Sequence, residues 1–334
     1  MKIAVLFTKR DEIAKSYHGD WEGRDINDDA YSVIDALKEL GHEASVYHVD
    51  LGLFERLRKD KDQIDMVFNL CDDGFFSDSR LEPHLPAILD VIKIPYTGGN
   101  YLTLALTLKK GTVKKILDYH GIPTPNFQVF RSGDEELKDL DFPLIVKPAR
   151  EDASIGIKDD SVVGNEEELR KKVKQVIADY RQPAIVEEFI EGREFNVGVI
   201  GNGEVLPLSE ITFDSLPEGK PRIVNYAAKW KEDSVDYKAT KRRCPAEVDE
   251  ELGSRLRTLA LKAASLFGCR DYFRVDFRVK DNKPYILEVN QNPDISEDAG
   301  LFAMARAKGY SYSGMVAKIL ESAIERYRKD LKRN

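Results

Sequence analysis

Several kinds of functional site are missing from this sequence of 334 residues. Its three cysteines, Cys71, Cys244 and Cys269, are widely spaced, so neither a disulfide framework nor a cysteine zinc site is indicated. The five histidines show no metal-ligand spacing, and no Ser-His-Asp or Cys-His arrangement stands out. The Walker pattern G-x-x-x-x-G-K-[ST] and the dinucleotide pattern G-x-G-x-x-G are both absent. A zinc protein and the two commonest nucleotide-binding motifs are therefore not predicted.

Long apolar runs and an excess of basic residues are also lacking. The apolar run Ile3–Phe7 is too short for a signal peptide, and no run approaches the length of a membrane span. The net charge of −8 argues against a nucleic-acid partner, and the basic cluster at 241–243 is typical of a solvated loop. With 42% hydrophobic and 33% charged residues, we expect a soluble, cytoplasmic protein of two or three domains with no membrane partner.

The first hundred residues show the alternation of strands and helices that is typical of a parallel sheet. Compact apolar runs at Ile3–Phe7, Ala44–Val49 and Ile64–Leu70 predict buried strands. Between the first two, apolar residues recur at helical spacing over residues 28–40, and Gly41 is a usual residue after a helix end. Strand, helix and strand in this order form a βαβ unit.

The following residues predict a helix, a strand and a loop. One helix is expected over residues 101–119, with four lysines on its polar side: Lys109, Lys110, Lys114 and Lys115. A strand over residues 142–148 carries Lys147 near its end, and a loop of small residues that includes Ser154 follows it. In that position an ammonium group and the backbone N–H groups of the loop would suit phosphate oxygens. A surface lysine that reaches solvent explains Lys147 equally well.

Later runs predict an antiparallel sheet and a second acidic segment. The strand over residues 184–190 contains Glu187 and Glu188, and it runs into a turn before Glu194. These residues could face an adenosine, but an exposed acidic strand end is the simpler explanation. The class is therefore α/β, with an α+β C-terminal part. We predict domains over residues 1–98, 99–186 and 187–334.

Residues 212–245 have little regular periodicity but contain four aromatic side chains. A loop of more than about 15 residues inside a compact domain is usually a lid, a binding loop or disordered. Because the aromatic residues argue against complete disorder, we predict a partly ordered flap.

Two short runs near the C-terminus carry the most informative pattern. Residues 272–279 and 283–289 predict two strands joined by a hairpin turn at 280–282. Alternate side chains of a strand share a face, so the hairpin would gather one guanidinium, two carboxylates and one amide. They belong to Arg274, Asp276, Glu288 and Asn290. Hard oxygen ligands on rigid strands suit Mg²⁺, although a solvated charged face would show the same pattern.

The order of these segments resembles the ATP-grasp superfamily, and within it the D-alanine–D-alanine ligase group. The resemblance runs from about residue 64 to the C-terminus, while the N-terminal unit matches only in pattern. Seven short matches follow one another in family order: Ile-Pro-Tyr-Thr-Gly98, Val-Lys-Pro-Ala-Arg-Glu151 with Ser-Ile-Gly156, Glu-Glu-Phe-Ile-Glu-Gly-Arg-Glu194, Ala-Lys229, Cys-Pro-Ala246, Arg-Val-Asp-Phe277 and Glu-Val-Asn290. The resemblance implies an ATP-grasp fold, with an N-terminal domain and two subdomains that sandwich ATP.

The resemblance also implies a role for each matched residue. Lys110 and Lys147 would hold ATP phosphates, and Lys229 would reach a phosphate from the flap. Arg274 would stabilise charge on the reacting carboxylate, and Ser154 belongs to the catalytic loop. The adenosine pocket would comprise Glu187, Glu188, Ile190 and Glu194. Two Mg²⁺ ions, or Mn²⁺ in their place, would be bound by Asp276, Glu288 and Asn290.

Departures from the family pattern fall on the substrate side. The family segment Gly-Gly-x-Ser-x-Glu after the first strand is replaced, so that Asp11 or Glu12 would have to substitute for its glutamate. Ala153 stands where the family loop has serine, and Trp230 stands where the flap has tyrosine. These side chains cannot rebuild the family's hydrogen-bonded set, because alanine neither donates nor accepts and indole only donates.

The acceptor end of the site departs in the same way. Asp294 replaces a family glycine, and Ala299 replaces the serine that meets the second substrate. Lys109 replaces an aspartate beside Lys110. The resemblance therefore implies a carboxylate–amine ligase that acts through an acyl phosphate on small molecules other than two D-alanines. A D-alanine–D-alanine ligase and a non-catalytic ATP-binding regulatory module remain as alternatives, and family analogy suggests a homodimer.

Overall fold

The N-terminal sheet is parallel and has the strand order β2-β1-β3, as the βαβ pattern predicts. A computed structural model of the chain describes residues 1–8 and 26–331. The first elements are β1 (Lys2–Phe7), α1 (Ile26–Glu39), β2 (Glu43–His48), α2 (Leu53–Asp60), β3 (Met66–Asn69) and α3 (His84–Ile92). Tyr96 pairs with Val67 of β3 in a parallel bridge, so the chain continues along the sheet edge before it enters the next unit.

The predicted helix over 101–119 is wrong in one respect, because the chain forms two helices there. They are α4 (Tyr101–Thr107) and α5 (Lys110–Tyr119). Lys109 between them has φ −91° and ψ 84°, outside the helical region, so α5 starts afresh at Lys110. The Lys110 backbone N–H donates to Ala149 O at 3.2 Å, which ties the start of α5 to the loop of small residues.

A four-stranded antiparallel sheet with the order β4-β7-β5-β6 forms the middle of the chain. Its elements are β4 (Phe127–Phe130), β5 (Leu144–Pro148), β6 (Val162–Val163), α6 (Glu166–Tyr180) and β7 (Ala184–Glu188). Helix α6 packs its apolar stripe on this sheet, where Leu169 and Val173 are fully buried. Each buried side chain of this kind contributes about 1.5–3 kcal/mol. The sheet therefore holds Lys147 and Glu187 on a rigid support.

The C-terminal sheet is antiparallel, with the order β11-β10-β8-β12-β13 and β9 beside β8. Its strands are β8 (Arg193–Ile200), β9 (Glu204–Val205), β10 (Ser209–Thr212), β11 (Lys241–Arg243), β12 (Tyr272–Lys280) and β13 (Lys283–Gln291). Helix α9 (Glu250–Phe267) covers one face, with Leu256, Ala260 and Phe267 buried against Phe195 and Val275. The other face carries the polar side chains described below.

Two more helices close the chain, α10 (Gly300–Lys308) and α11 (Tyr312–Leu331). Met315, Ile319 and Leu320 of α11 are buried in the same cluster as Leu37 of α1 and Phe68 of β3. The last helix therefore fastens the N-terminal sheet to the C-terminal sheet. Among the helices within residues 1–8 and 26–331, none is long and apolar enough to cross a membrane.

The flap predicted over residues 212–245 is ordered, with two short helices and a strand. It contains α7 (Tyr226–Trp230), α8 (Val235–Ala239) and β11, which returns to pair with β10. Asn225 caps α7 by accepting from Ala228 N at 2.7 Å, and Ser234 caps α8 by accepting from Tyr237 N at 3.0 Å. Periodicity could not show these helices, since each is five residues long.

Candidate active site

The C-terminal hairpin forms as predicted, but its register shifts by one residue between Asp276 and Phe277. Arg274 lies opposite Asn290 and Asp276 lies opposite Glu288 across β12 and β13. The turn between the strands places Asp281 and Asn282 at φ 50° and 57°, the pair of left-handed residues that a tight type I′ hairpin requires. The four polar side chains therefore share one face of one hairpin.

Asp276 is the centre of a hydrogen-bonded group on that face. Its Oδ1 accepts from Arg274 Nε at 2.7 Å and from Asn196 Nδ2 at 2.6 Å. Its Oδ2 accepts from Arg274 Nη2 and from Asn290 Nδ2, both at 2.9 Å. This two-point contact fixes the plane of the guanidinium, and charge-assisted bonds of this kind are the stronger ones in proteins. Burial works against the Arg274 cation, but Asp276 still raises its pKa.

Lys110 joins the hairpin to the loop of small residues. Its Nζ lies 2.9 Å from Asp152 Oδ1 and is also in contact with Glu288 Oε1. Burial disfavours its charge, but the two carboxylates more than offset this and raise the pKa of Lys110. Burial likewise opposes ionisation of Glu288, yet the Lys110 cation lowers the Glu288 pKa to about 2. Lys110 and Glu288 are therefore charged together at neutral pH.

Lys147 and Glu187 meet on the facing sheet. Lys147 Nζ donates to Glu187 Oε2 at 3.1 Å, and Lys114 Nζ approaches the same oxygen to 3.3 Å. Glu187 is 1% exposed, and its Oε1 is a buried acceptor with no hydrogen-bond partner among the described residues. An acceptor of this kind is rare in folded proteins and suits a ligand donor.

The expectation that Lys110 and Lys114 lie on a polar helix face is wrong. Lys114 is 0% exposed, and its Nζ also donates to Thr124 Oγ1 at 2.9 Å. Thr124 in turn donates to Ile286 O at 2.8 Å. The lysines are four residues apart and share a face of α5, but that face is turned inward because Glu187 and Glu288 supply the opposite charges.

The other predicted adenosine residues are spread along β7 and β8. Glu188 is half-buried and accepts from Asn126 Nδ2 at 3.1 Å, and Ile190 is half-buried beyond the end of β7. Glu194 is buried and pairs with Arg278 Nη2 at 2.8 Å. Arg278 also donates to Gly192 O at 2.9 Å, so the turn between β7 and β8 is held to β12.

The flap is docked on the loop of small residues. Ser154 Oγ donates to Val224 O at 2.8 Å, and Tyr226 N donates to Ile157 O at 2.9 Å. Trp230 Nε1 donates to Ala153 O at 2.9 Å. Ala153 and Ser154 have φ of 55° and 61°, an uncommon pair for residues with side chains.

We expected that Ala153 and Trp230 cannot rebuild the hydrogen-bonded link between the loop and the flap, and this expectation is only half right. Trp230 and Ala153 make no side-chain pair, as expected, but the indole bonds the backbone carbonyl instead. Lys229 is the residue before Trp230 on the same helix, and its Nζ lies 5.1 Å from the centre of the Trp230 ring. Burial and the nearby Arg274 cation lower the Lys229 pKa, while Asp294 opposes the shift. Lys229, Arg274 and Asp294 thus lie close to one another.

The acceptor end of the site is built differently from the family pattern quoted above. Asp294 Oδ1 accepts from Ser296 N at 2.8 Å and from Ser296 Oγ at 2.7 Å, so its side chain closes a local turn. Ala299 precedes α10 and offers no side-chain cap. Asp11 and Glu12 lie outside the described residues.

The chemistry of the donor set fits magnesium. Within residues 1–8 and 26–331 no group of three or more His, Cys, Asp and Glu side chains is arranged to hold a metal. The candidate set has two carboxylates, Asp276 and Glu288, and an amide, Asn290, which the strand register brings together. Hard oxygen donors few enough to leave room for water and phosphate are what Mg²⁺ takes up.

Sequence reasoning missed Asp152 and Lys114. Both contact residues that the sequence had indicated. Asp152 and Glu288 both contact Lys110. Lys114 and Lys147 both contact Glu187. The four-residue spacing of Lys110 and Lys114 was an available signal for the second.

The chain is similar to known proteins over most of its length. Residues 116–321 match the family model described as D-ala D-ala ligase C-terminus, well over half of the chain. An uncharacterized protein, y4sG, of Sinorhizobium fredii is 36% identical and covers 89% of this chain and 88% of its own length. A D-alanine–D-alanine ligase of Syntrophotalea carbinolica is 33% identical, with coverages of 87% and 89%.

The fold has solved counterparts as well. The structure of D-alanine–D-alanine ligase from Bacillus anthracis complexed with ATP superimposes with a TM-score of 0.74 over 99% of each chain. Its sequence identity is 23%, so this comparison supports the fold rather than the substrate. The family match and the relatives above 30% identity show the family to which the chain belongs. The chain belongs to the D-alanine–D-alanine ligase-like group of the ATP-grasp superfamily, and it is an ADP-forming ligase that makes carbon–nitrogen bonds.

Proposed function

We propose that the protein joins a carboxylate to an amine through an acyl phosphate, and that its two substrates are not both D-alanine. The observation that supports this is a contrast between the two ends of the candidate site. Lys110 contacts Glu288, which lies opposite Asp276 on the hairpin, and Lys147 is near enough to Glu288 to help lower its pKa. Ala299 and Asp294 replace the family's acceptor residues. Groups for phosphate and metal are present, and groups that select D-alanine are changed.

The residues support a two-step reaction. A carboxylate oxygen of the first substrate attacks the γ-phosphorus of ATP, and the bond to the bridging oxygen of ADP breaks. The lone pair of the amine then attacks the acyl carbon, phosphate leaves, and the nitrogen loses a proton. Such transfer needs positioning and positive charge rather than a protein nucleophile. That requirement accords with the absence of a recognisable Ser-His-Asp or Cys-His arrangement in the sequence.

Each positive group has a defined place in this scheme. Lys110 and Lys147 bind ATP phosphates, Lys229 reaches a phosphate from the flap, and Arg274 stabilises charge on the reacting carboxylate. Asp276 holds the Arg274 guanidinium in one plane. Fixed donors aimed at developing charge are usually the largest single contribution to catalysis.

Metal and adenosine sites complete the assignment. Asp276, Glu288 and Asn290 would hold two Mg²⁺ ions, which neutralise phosphate charge when bound. Adenosine would be bound by Glu187, Glu188, Ile190 and Glu194, and the partnerless Glu187 Oε1 suits the adenine amino group. We retain domains over 1–98, 99–186 and 187–334, a cytoplasmic location and a homodimer as parts of this proposal.

The proposal is tested by ADP release from MgATP across a panel of amino acids and small peptides. We expect some carboxylate–amine pair to stimulate ADP release more than D-alanine does, with one amide formed for each ADP. Release stimulated only by D-alanine, with formation of the D-alanyl dipeptide, would favour the alternative that the 32–33% identical ligases suggest. ATP binding without turnover on any substrate would contradict both.

The flap protects the reaction from water, and Trp230 holds it closed in this proposal. An acyl phosphate hydrolyses where water enters, so closure is useful to the chemistry. Replacing Trp230 with phenylalanine keeps an aromatic ring but removes the indole N–H that donates to Ala153 O. A net hydrogen bond is worth about 1 kcal/mol, or roughly a fivefold shift toward the open flap. We expect trypsin to cut within residues 213–240 about five times faster.

The control for Trp230→Phe is Tyr119→Phe, which removes a polar group from an exposed ring on α5. It should leave the cleavage rate unchanged. Equal rates for Trp230→Phe and the unsubstituted protein would show that the indole bond does not hold the flap.

A further inference from the structure

Asp152 is a carboxylate inside the site to which neither the sequence nor the family match gives a role. It lies in the loop between β5 and β6, and its Oδ1 is 2.9 Å from Lys110 Nζ. The same ammonium contacts Glu288 Oε1 of β13. Two carboxylates that share one ammonium are within about two hydrogen-bond lengths, roughly 6 Å, of each other. Those of Asp152 and Glu288 are close enough for a shared hydrogen bond.

The position of Asp152 is fixed by the residues around it. Gln182, which is buried, donates to Glu151 Oε1 at 2.6 Å and accepts from Arg150 N at 2.7 Å. Ala149 O accepts from Lys110 N at 3.2 Å. The three residues before Asp152 are therefore held to the central sheet and to α5. The backbone that leads into Asp152 is therefore fixed, and the side chain, which is 41% exposed, contacts Lys110 from there.

Binding of ATP changes the charge balance at this point. The proposed function turns the Lys110 ammonium toward a phosphate, so Asp152 and Glu288 lose the cation that they share. Two carboxylates a few ångströms apart repel each other, and the phosphates bring further negative charge. A divalent cation held between the two carboxylates would restore the balance.

We propose that Asp152 is a further carboxylate ligand of the magnesium that Glu288 holds, so that the metal fastens the loop over the phosphates to strand β13. This inference rests on the proposed function. It concerns a residue outside the set Asp276, Glu288 and Asn290. The competing role is a purely positioning one, in which Asp152 holds Lys110 in place for the phosphate. The two roles predict opposite effects on nucleotide binding without metal.

The test uses Asp152→Asn in the full chain, with Mn²⁺ as the probe and ADP as the nucleotide. The Mn²⁺ dissociation constant is read from the electron paramagnetic resonance signal of the free ion. Loss of even a supporting partner of a metal ligand weakens binding roughly ten- to a hundredfold, so we expect at least about a tenfold rise. Binding of ADP in EDTA should be unchanged or tighter, because a negative charge near the phosphates is gone.

The matched control is Asp160→Asn, a second aspartate of the same loop that pairs with Lys172 of α6. It should leave both constants unchanged. Unaltered Mn²⁺ affinity in Asp152→Asn, or weaker ADP binding in EDTA, would overturn the inference while leaving the proposed function in place. If the unsubstituted protein bound no nucleotide at all, the proposed function would fail and this inference with it.

Discussion

Replacing Asp276 with asparagine is expected to lower kcat by about 10²- to 10³-fold, the range seen when one fixed charge-stabilising group is lost. Asp276 has two tasks in the proposed reaction. Its carboxylate would bind magnesium, and it holds both Nε and Nη2 of Arg274. Asparagine has nearly the same shape but cannot accept from both sides. It would also present an NH₂ group to Asn196 or to Arg274, where donors already point.

The substitution should also lower stability, but by an amount that leaves the protein folded. A buried donor left without an acceptor costs about 1–3 kcal/mol, so the fold should survive. The KM for the carboxylate substrate should change less than kcat, because Arg274 acts on charge that develops in the transition state. Steady-state rates and urea unfolding on the same preparation measure both effects.

Glu210 offers a matched control on the same sheet. It accepts from Arg193 Nε at 2.7 Å and from Arg193 Nη2 at 2.9 Å, the same two-point geometry as the Asp276 pair. It belongs to β10 and lies outside the proposed site. Because the Arg193 side chain is 45% exposed and water can solvate it, Glu210→Gln should lose less stability than Asp276→Asn, and it should keep kcat within about threefold. Equal loss of rate in the two variants would show that the effect is general to two-point ion pairs of this sheet and not specific to catalysis.

The hairpin that carries Asp276 was predictable because strand alternation is a short-range property. Residues two apart on a strand share a face, which groups Arg274 with Asp276 and Glu288 with Asn290. The turn alone would set Asp276 opposite Leu287, and a register shift between Asp276 and Phe277, which the sequence did not predict, moves Asp276 opposite Glu288. The N-terminal βαβ unit was predictable for the same reason. In both cases the pattern is complete within one segment of the sequence.

The inward lysines and the flap were not predictable in this way. Lys114 appears solvent-facing from helical periodicity, and only contact with Glu187 of a distant strand explains its burial. The break at Lys109 depends on the bond between Lys110 N and Ala149 O, which joins two segments far apart in sequence. The Trp230 contact goes to a backbone carbonyl, and every residue has one. Tertiary partners decide these features.

The burial of Lys114 leads to the second large expected effect, a change in how stability depends on pH. Lys114 is 0% exposed, and burial lowers its pKa to about 8, with Lys147 acting in the same direction and Glu187 against it. An unfolded lysine has a pKa near 10.4. Below pH 8 both states bind this proton, so Lys114 adds no pH dependence there.

Between pH 8 and about 10.4 the unfolded chain still binds the proton and the folded chain has released it. Stability therefore rises with pH in this window, by about 3 kcal/mol in total for a shift of this size. Replacing Lys114 with methionine removes the titrating group while keeping most of the apolar stem. From pH 7 to pH 10, we expect the free energy of unfolding of the unsubstituted protein to rise relative to that of Lys114→Met by about 2–3 kcal/mol.

Lys115 is the control, because it is the next residue of the same helix and is exposed. Lys115→Met should follow the unsubstituted protein at every pH. Urea unfolding at pH 7, 8, 9 and 10 gives the three curves. If Glu187 instead kept Lys114 protonated throughout, the curve for Lys114→Met would run parallel to the other two. A difference in free energy of unfolding between Lys114→Met and the unsubstituted protein that changes only above pH 8 would show that burial has made Lys114 easy to deprotonate. Glu187 would then share its charge between Lys147 and this lysine.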